Sequence, residues 1–201
     1  MTRRPATLPA LVGAAALALA LAGCGVTAPP VDVDTDTGTG TGTEAPDTST
    51  APATGELITG DGYSFQVPDG WGTPDQPTPG FDPDAFAADL GDADGFSDNV
   101  NVLLSPAGEI TADQVEELGA PELENAGATD VAVQPRLNVA GAESAHITAK
   151  FSANGVPYWV EQYYPTNAGQ TYIVTFSFSE SVAEGDRVAL AESVLASWTW
   201  L

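Results

Sequence analysis

Few side chains in this 201-residue chain could do chemistry. It has one cysteine, Cys24, and one histidine, His146. A single imidazole cannot build a multi-histidine metal centre, and a Cys-His dyad needs a free thiol, which the context of Cys24 argues against below. A Ser-His-Asp triad needs its serine on a strained elbow, and no Gly-x-Ser-x-Gly occurs. Nor is there a Gly-Lys-Ser/Thr loop to cradle phosphates. His146 lies in AESAHITAKF, where period-two alternation puts it on a face with Ser144, Thr148 and Lys150, so it reads as a polar-face histidine. Carboxylates are plentiful, and in so acidic a chain a close pair arises by chance, which assigns no general acid or base. No catalytic residue and no cofactor is expected.

Two other groupings remain. Asp82, Asp84, Asp89, Asp92, Asp94 and Asp98 crowd a glycine-containing loop, and oxygen-rich loops can hold calcium. The EF-hand register fails, however. Placing Asp92, Asp94 and Gly95 at loop positions 3, 5 and 6 puts Leu90 at position 1 and Asn101 at position 12, so a solvated acidic loop is expected and no metal site is assigned. Tyr158, Trp159, Tyr163, Tyr164 and Tyr172 lie on adjacent expected strands. If one sheet face is left open, they form a candidate ligand groove for a lipid tail or partner segment; if both are covered, they are core.

Cys24 ends the run Leu21-Ala22-Gly23-Cys24. Arg3 and Arg4 supply a positive n-region and residues 8–22 an apolar stretch that closes on small residues, as in a secretory signal. The stretch is shorter than the roughly 20 residues a spanning helix needs. Leu-Ala-Gly-Cys matches a bacterial lipobox, which implies cleavage before Cys24 and a diacylglyceryl thioether on its sulfur, with further acylation such as palmitate. Each buried methylene contributes about 0.8 kcal/mol, so two or three chains anchor stably where one binds marginally. The alternative is an ordinary secretory signal with an incidental cysteine. Residues 1–23 are therefore read as a signal peptide, and the mature chain as lipid-anchored to the extracytoplasmic face of the cell membrane.

Charge bounds the partners. The chain carries 28 acidic and 5 basic residues, and losing Arg3 and Arg4 takes the net charge from −23 to −25. Such a surface repels phosphate backbones, which excludes nucleic acid, and it stands off anionic headgroups. Residues 24–54 hold the lipidation site and a Thr/Pro/Asp-rich stretch without aromatics or periodicity, too polar to offset the entropy of ordering. It reads as a disordered tether spanning about 30 Å.

One globular domain, residues 55–201, remains. Glu56–Thr59 and Tyr63–Val67 read as an opening hairpin around Gly60-Asp61-Gly62. Pro83–Leu90 is expected as one or two helical turns capped by Asp82, and Asn99–Ser105 as a buried strand. Thr111 and Gln114 form a capping box for a helix that Pro121 either kinks or follows with a second short helix beginning at that proline. A meander follows over 129–139, 142–152, 156–164 and 170–178, with Asn154-Gly155 a two-residue hairpin turn. Ser181 with Glu184 caps a last helix whose Val188, Ala191, Leu195 and Trp198 form one stripe.

YSFQVPDGW (63–71), NVNVLL (99–104), the pair WVEQYY and TYIVTFSF, and the ending Ala196-Ser197-Trp198 together resemble the LpqN/LpqT-type lipoproteins of actinobacteria, which are similar in fold to PsbP-like domains. The resemblance implies an α+β fold, an antiparallel sheet of about six strands covered by helices in an α/β/α sandwich. It also implies a non-enzymatic envelope protein that acts as an accessory or protein-interaction module. A carrier or sensor of a small apolar ligand such as an envelope lipid is the alternative.

Overall fold

The computed structural model describes residues 49–75 and 80–201. Seven antiparallel strands form one sheet in the order β3-β4-β5-β9-β8-β7-β6: β3 (Trp71–Gly72), β4 (Ala85–Asp89), β5 (Asn99–Leu104), β6 (Thr129–Val139), β7 (Ala142–Ala153), β8 (Val156–Asn167) and β9 (Gln170–Ser179). A smaller sheet joins β1 (Leu57–Gly60), β2 (Tyr63–Gln66) and β10 (Thr199–Trp200). Helix α1 (Ala112–Asn125) carries the chain from β5 to the far edge, and the β6–β9 meander returns until β9 pairs with β5. Helix α2 (Glu184–Ala196) then leads to β10.

Alternation in the meander sorts the core into two layers. Tyr172, Val174, Phe176 and Phe178 of β9 join Val100, Val102 and Tyr163 beneath α2 and the small sheet, where Ala191, Val194, Leu195, Trp198, Tyr63 and Phe65 close over them. On the opposite face Ile147, Val160, Tyr164 and Ile173 pack against Val115 and Leu123 of α1 and against Phe96. Tyr63, stacked on Trp198 at 4.4 Å, donates its hydroxyl to Asp84 Oδ2 at 2.7 Å. Upstream of Gly55, Ala53 N donates to Ser193 O at 2.8 Å and Thr50 Oγ1 to Glu192 Oε2 at 2.7 Å, so the entering chain runs along α2.

Most expected elements are present, and two differ. The segment expected as helical turns after Asp82 is strand β4. Its alanines favour helix by only a few tenths of a kcal/mol per residue. Pairing with β5 at four positions outweighs that preference and buries Ala85 and Ala87. Ser181 does not cap α2: the N-cap is Ala183, without a side-chain bond, and Ser181 Oγ pairs with Ser179 Oγ at 3.0 Å. Of the two readings of Pro121, a second helix does not form, since α1 runs through it to Asn125, and the Thr111 and Gln114 capping box is present in full. The edge strand β6 has register shifts on either side of Val133, and Pro135 lies in the second, where a missing N–H costs no ladder bond.

Helix α1 approaches the sheet closely at Gly119, where a Cβ would lie 2.9 Å from Ile147 Cδ1. A methyl group displaces only the flexible tip of Ile147, whereas a branched side chain lifts the helix. Gly119→Val is expected to cost about 1–3 kcal/mol, the usual range for overpacking. Urea denaturation followed by circular dichroism reads it, and an unchanged midpoint contradicts this packing.

Candidate functional site

The β7–β8 register sets three side-chain pairs in a row on the α2 face: His146 opposite Tyr163, Thr148 opposite Glu161, and Lys150 opposite Trp159. The His146 ring stacks on Tyr163 with centroids 4.1 Å apart, and its Nε2 lies 2.9 Å from Glu161 Oε2. The other carboxylate oxygen accepts from Thr148 Oγ1 at 3.3 Å and from Arg187 Nε at 2.9 Å. Arg187 reaches down from α2, spreads its guanidinium 4.5 Å over the Trp159 ring and donates through Nη1 to Val182 O at 3.0 Å. Glu161 is 1 % exposed, Arg187 4 % and His146 6 %. A charge so buried is tolerated only when paired and hydrogen-bonded, and both oxygens of Glu161 are engaged.

The sole histidine therefore does lie with Ser144 and Thr148, but on a face roofed by α2. Its Nε2 is occupied by Glu161, so the cluster fastens a helix to a sheet. Burial, followed by the nearby Glu161 charge, pushes the Tyr163 phenol well above its ordinary range, and its hydroxyl has no partner among the described residues. Neither Glu161 nor Arg187 stood out in the sequence. Alternation in WVEQYY does place Glu161 between Trp159 and Tyr163 on the face of His146, and that was the available signal.

The five aromatics proposed as a groove divide between the layers. Trp159, Tyr163 and Tyr172 lie on the α2 face, and Tyr158 and Tyr164 on the α1 face. All but Trp159 are buried. On the α1 side Tyr158 stacks under Phe96 at 5.2 Å, and Gln162 Nε2 donates to Thr175 Oγ1 at 2.8 Å while accepting from the Tyr164 hydroxyl. A crevice runs beside α1 over Tyr164 and Ile173, rimmed by Gln114, Leu118 and Glu122. Its volume is about 20 Å³, room for about one water and not for a lipid tail.

The acidic loop uses its carboxylates on its own backbone. Gly91 N donates to Asp89 at 2.8 Å, Asp94 N to Asp92 at 3.1 Å, Phe96 N to Asp94 at 3.0 Å, and Ser179 N to Asp98 at 2.7 Å. The Phe96 N–H is the main cause holding the Asp94 carboxyl below its ordinary range. Burial, joined by repulsion from Asp92, Asp94 and Asp89, pushes Asp98 up to about 6. Among the described residues no group of three or more His, Cys, Asp and Glu gathers as metal ligands would. The three cations there are all paired: Arg136 with Asp113, Glu116 and Glu143, Lys150 with Glu180, and Arg187 with Glu161. Cys24 and the lipobox residues Leu21, Ala22 and Gly23 lie outside the described residues.

No protein-family model matches the chain and no curated protein matches its sequence. Solved structures do match. CyanoP, the cyanobacterial PsbP of Synechocystis sp. PCC 6803, is similar with a TM-score of 0.50 at 17% identity, over 74% of this chain and 95% of that one. The fold is PsbP-like. LpqN of Mycobacterium tuberculosis, described as involved in cell envelope biogenesis, is similar with a TM-score of 0.50 at 18% identity, over 71% of this chain and 83% of that one. A slighter likeness, TM-score 0.47 at 12% identity, is to a Bacteroides thetaiotaomicron protein of which this chain, over 74% of its own length, spans about half, 49%. The PsbP-like sheet here has seven strands rather than six, with the small three-stranded sheet added.

Two measurements test these electrostatics. Arg187→Met strands the buried Glu161 carboxylate and is expected to cost about 3–5 kcal/mol, whereas the Glu161→Met/Arg187→Met double variant recovers much of it. A double variant as unstable as the sum of its singles removes this coupling. For Asp98, whose carboxyl rises from 3.8 to about 6 on folding, the folded state holds its proton to higher pH than the unfolded chain, so this group's stability is lost as pH rises through that window. Asp98→Asn keeps the acceptor for Ser179 N–H and should stabilise by about 1 kcal/mol at neutral pH, a figure reduced for partial exposure, with no gain below the window. Urea midpoints at the two pH values decide, and an equal effect at both contradicts the assignment.

Proposed function

We propose that this chain is a cell-envelope lipoprotein, held at the extracytoplasmic face of the cell membrane through Cys24, that works as a non-enzymatic interaction module for an envelope protein partner. The observation that carries the reading is the internal use of the reactive groups. The imidazole and each described cation are paired to carboxylates within the domain, which leaves solvent a surface of unpaired acid. A surface of one sign steers and selects partners of the opposite sign. The likeness to LpqN, a protein involved in cell envelope biogenesis, supports the reading at the level of fold, and the lipobox supplies the anchor. The second reading, a carrier of a small apolar ligand, has less support, because the crevice beside α1 must open before it admits more than water.

The anchor is read by intact mass of the full-length protein extracted from cells with detergent. The expected species begins at Cys24 and carries diacylglyceryl and acyl groups, which Cys24→Ser abolishes together with cleavage. Wild-type protein recovered with an unmodified thiol overturns the anchoring.

A further inference from the structure

The two flanks of α1 are treated differently by the fold. The helix has five carboxylates, Asp113, Glu116, Glu117, Glu122 and Glu124, and no base. On the β6 side Arg136 takes up Asp113 and Glu116, the latter through Nε at 2.6 Å and Nη2 at 2.8 Å. On the crevice side Gln114, Leu118 and Glu122 form one ridge at i, i+4 spacing over Tyr164 and Ile173. No described cation pairs with Glu117, Glu122 or Glu124. Glu122 and Glu124 also sit in the last turn, where the helix dipole is already negative and a cation is favoured. The charge of Glu122 is felt inside the crevice, where it adds to burial in raising the Tyr164 phenol. Leu118, at the mouth, is 44% exposed.

An apolar side chain left in water beside an uncompensated carboxylate is the complement of an aliphatic group next to a cation. The geometry points to the crevice flank of α1 as the docking site for a segment of a partner protein in which Lys or Arg adjoins an aliphatic residue. The cation pairs with Glu122, and the aliphatic group lies across Leu118 rather than entering the 20 Å³ crevice. This inference rests on the interaction reading above and names the chemistry of the partner. The attraction is of a partly exposed kind, so it falls with ionic strength.

Photocrosslinking in intact cells tests it, with benzoylphenylalanine placed in the full-length chain at Leu118, at Val133 on β6, or at Leu57 on β1, all exposed. Position 118 is expected to give a protein adduct whose crosslinked peptide has Lys or Arg beside an aliphatic residue. Glu122→Lys, which suits the helix terminus and so leaves the fold intact, should lower the yield roughly tenfold. Glu184→Lys, on α2, should leave it unchanged. An adduct insensitive to Glu122→Lys, a crosslinked peptide without a cation, or an adduct with lipid alone overturns the site. Protein adducts from Leu57 or Val133 but not from Leu118 overturn this site and leave the interaction reading standing. No protein adduct from any of the three positions removes both.

Discussion

A carboxylate almost out of reach of water, Glu161, is the constraint on which the α2 side of the molecule depends. It sits in mid-strand and must find its partners within the fold. Thr148 and His146 come from the next strand, and Arg187 from the helix above. The last of these is selective: a guanidinium that must reach Glu161 while lying over Trp159 admits few positions for α2. An apolar stripe alone tolerates sliding by a fraction of a turn, whereas an ion pair in a dry layer does not. Replacing such pairs with apolar residues can be neutral for stability, whereas removing one partner leaves the other charge buried and unpaired.

Placement of α2 propagates to both termini of the domain. Ala53 bonds to Ser193 of the helix, and Trp198, just beyond it, stacks on Tyr63 and Phe65. The small sheet follows, because β10 pairs with β2 directly after that turn. The entering chain, the exit of the helix and the last strand therefore share one layer. On the other face a different device operates. Gly119 lets α1 settle onto Ile147, and Arg136 ties one flank to the edge strand. Among the described residues its other flank has no such tie.

The acidic loop shows how like charges are accommodated when cations are scarce. Successive aspartates accept N–H groups two residues on, so the loop is held by its own backbone and presents Phe96 to Tyr158. Its residual repulsion, added to burial, collects on Asp98.

Local rules made much of the fold legible. The meander, its Asn154-Gly155 turn and the capping box of α1 depend on neighbours in sequence, and each is where alternation, turn chemistry and capping place it. In two places local rules misled: the alanine-rich segment after Asp82 became a strand because β5 was there to receive it, and α2 takes Ala183 rather than Ser181 as its N-cap. The candidate site was the least legible part. Alternation alone divides Tyr158 and Tyr164 from Trp159, Tyr163 and Tyr172, but it does not say that both faces are roofed. By itself the sequence determined the charge, the placement of the lone cysteine in its motif and the periods of the strands, since these are properties of composition and nearest neighbours. Only the tertiary structure decided which carboxylates found cations and which did not, because Glu161 and Arg187 stand 26 residues apart and meet only once helix and sheet have packed.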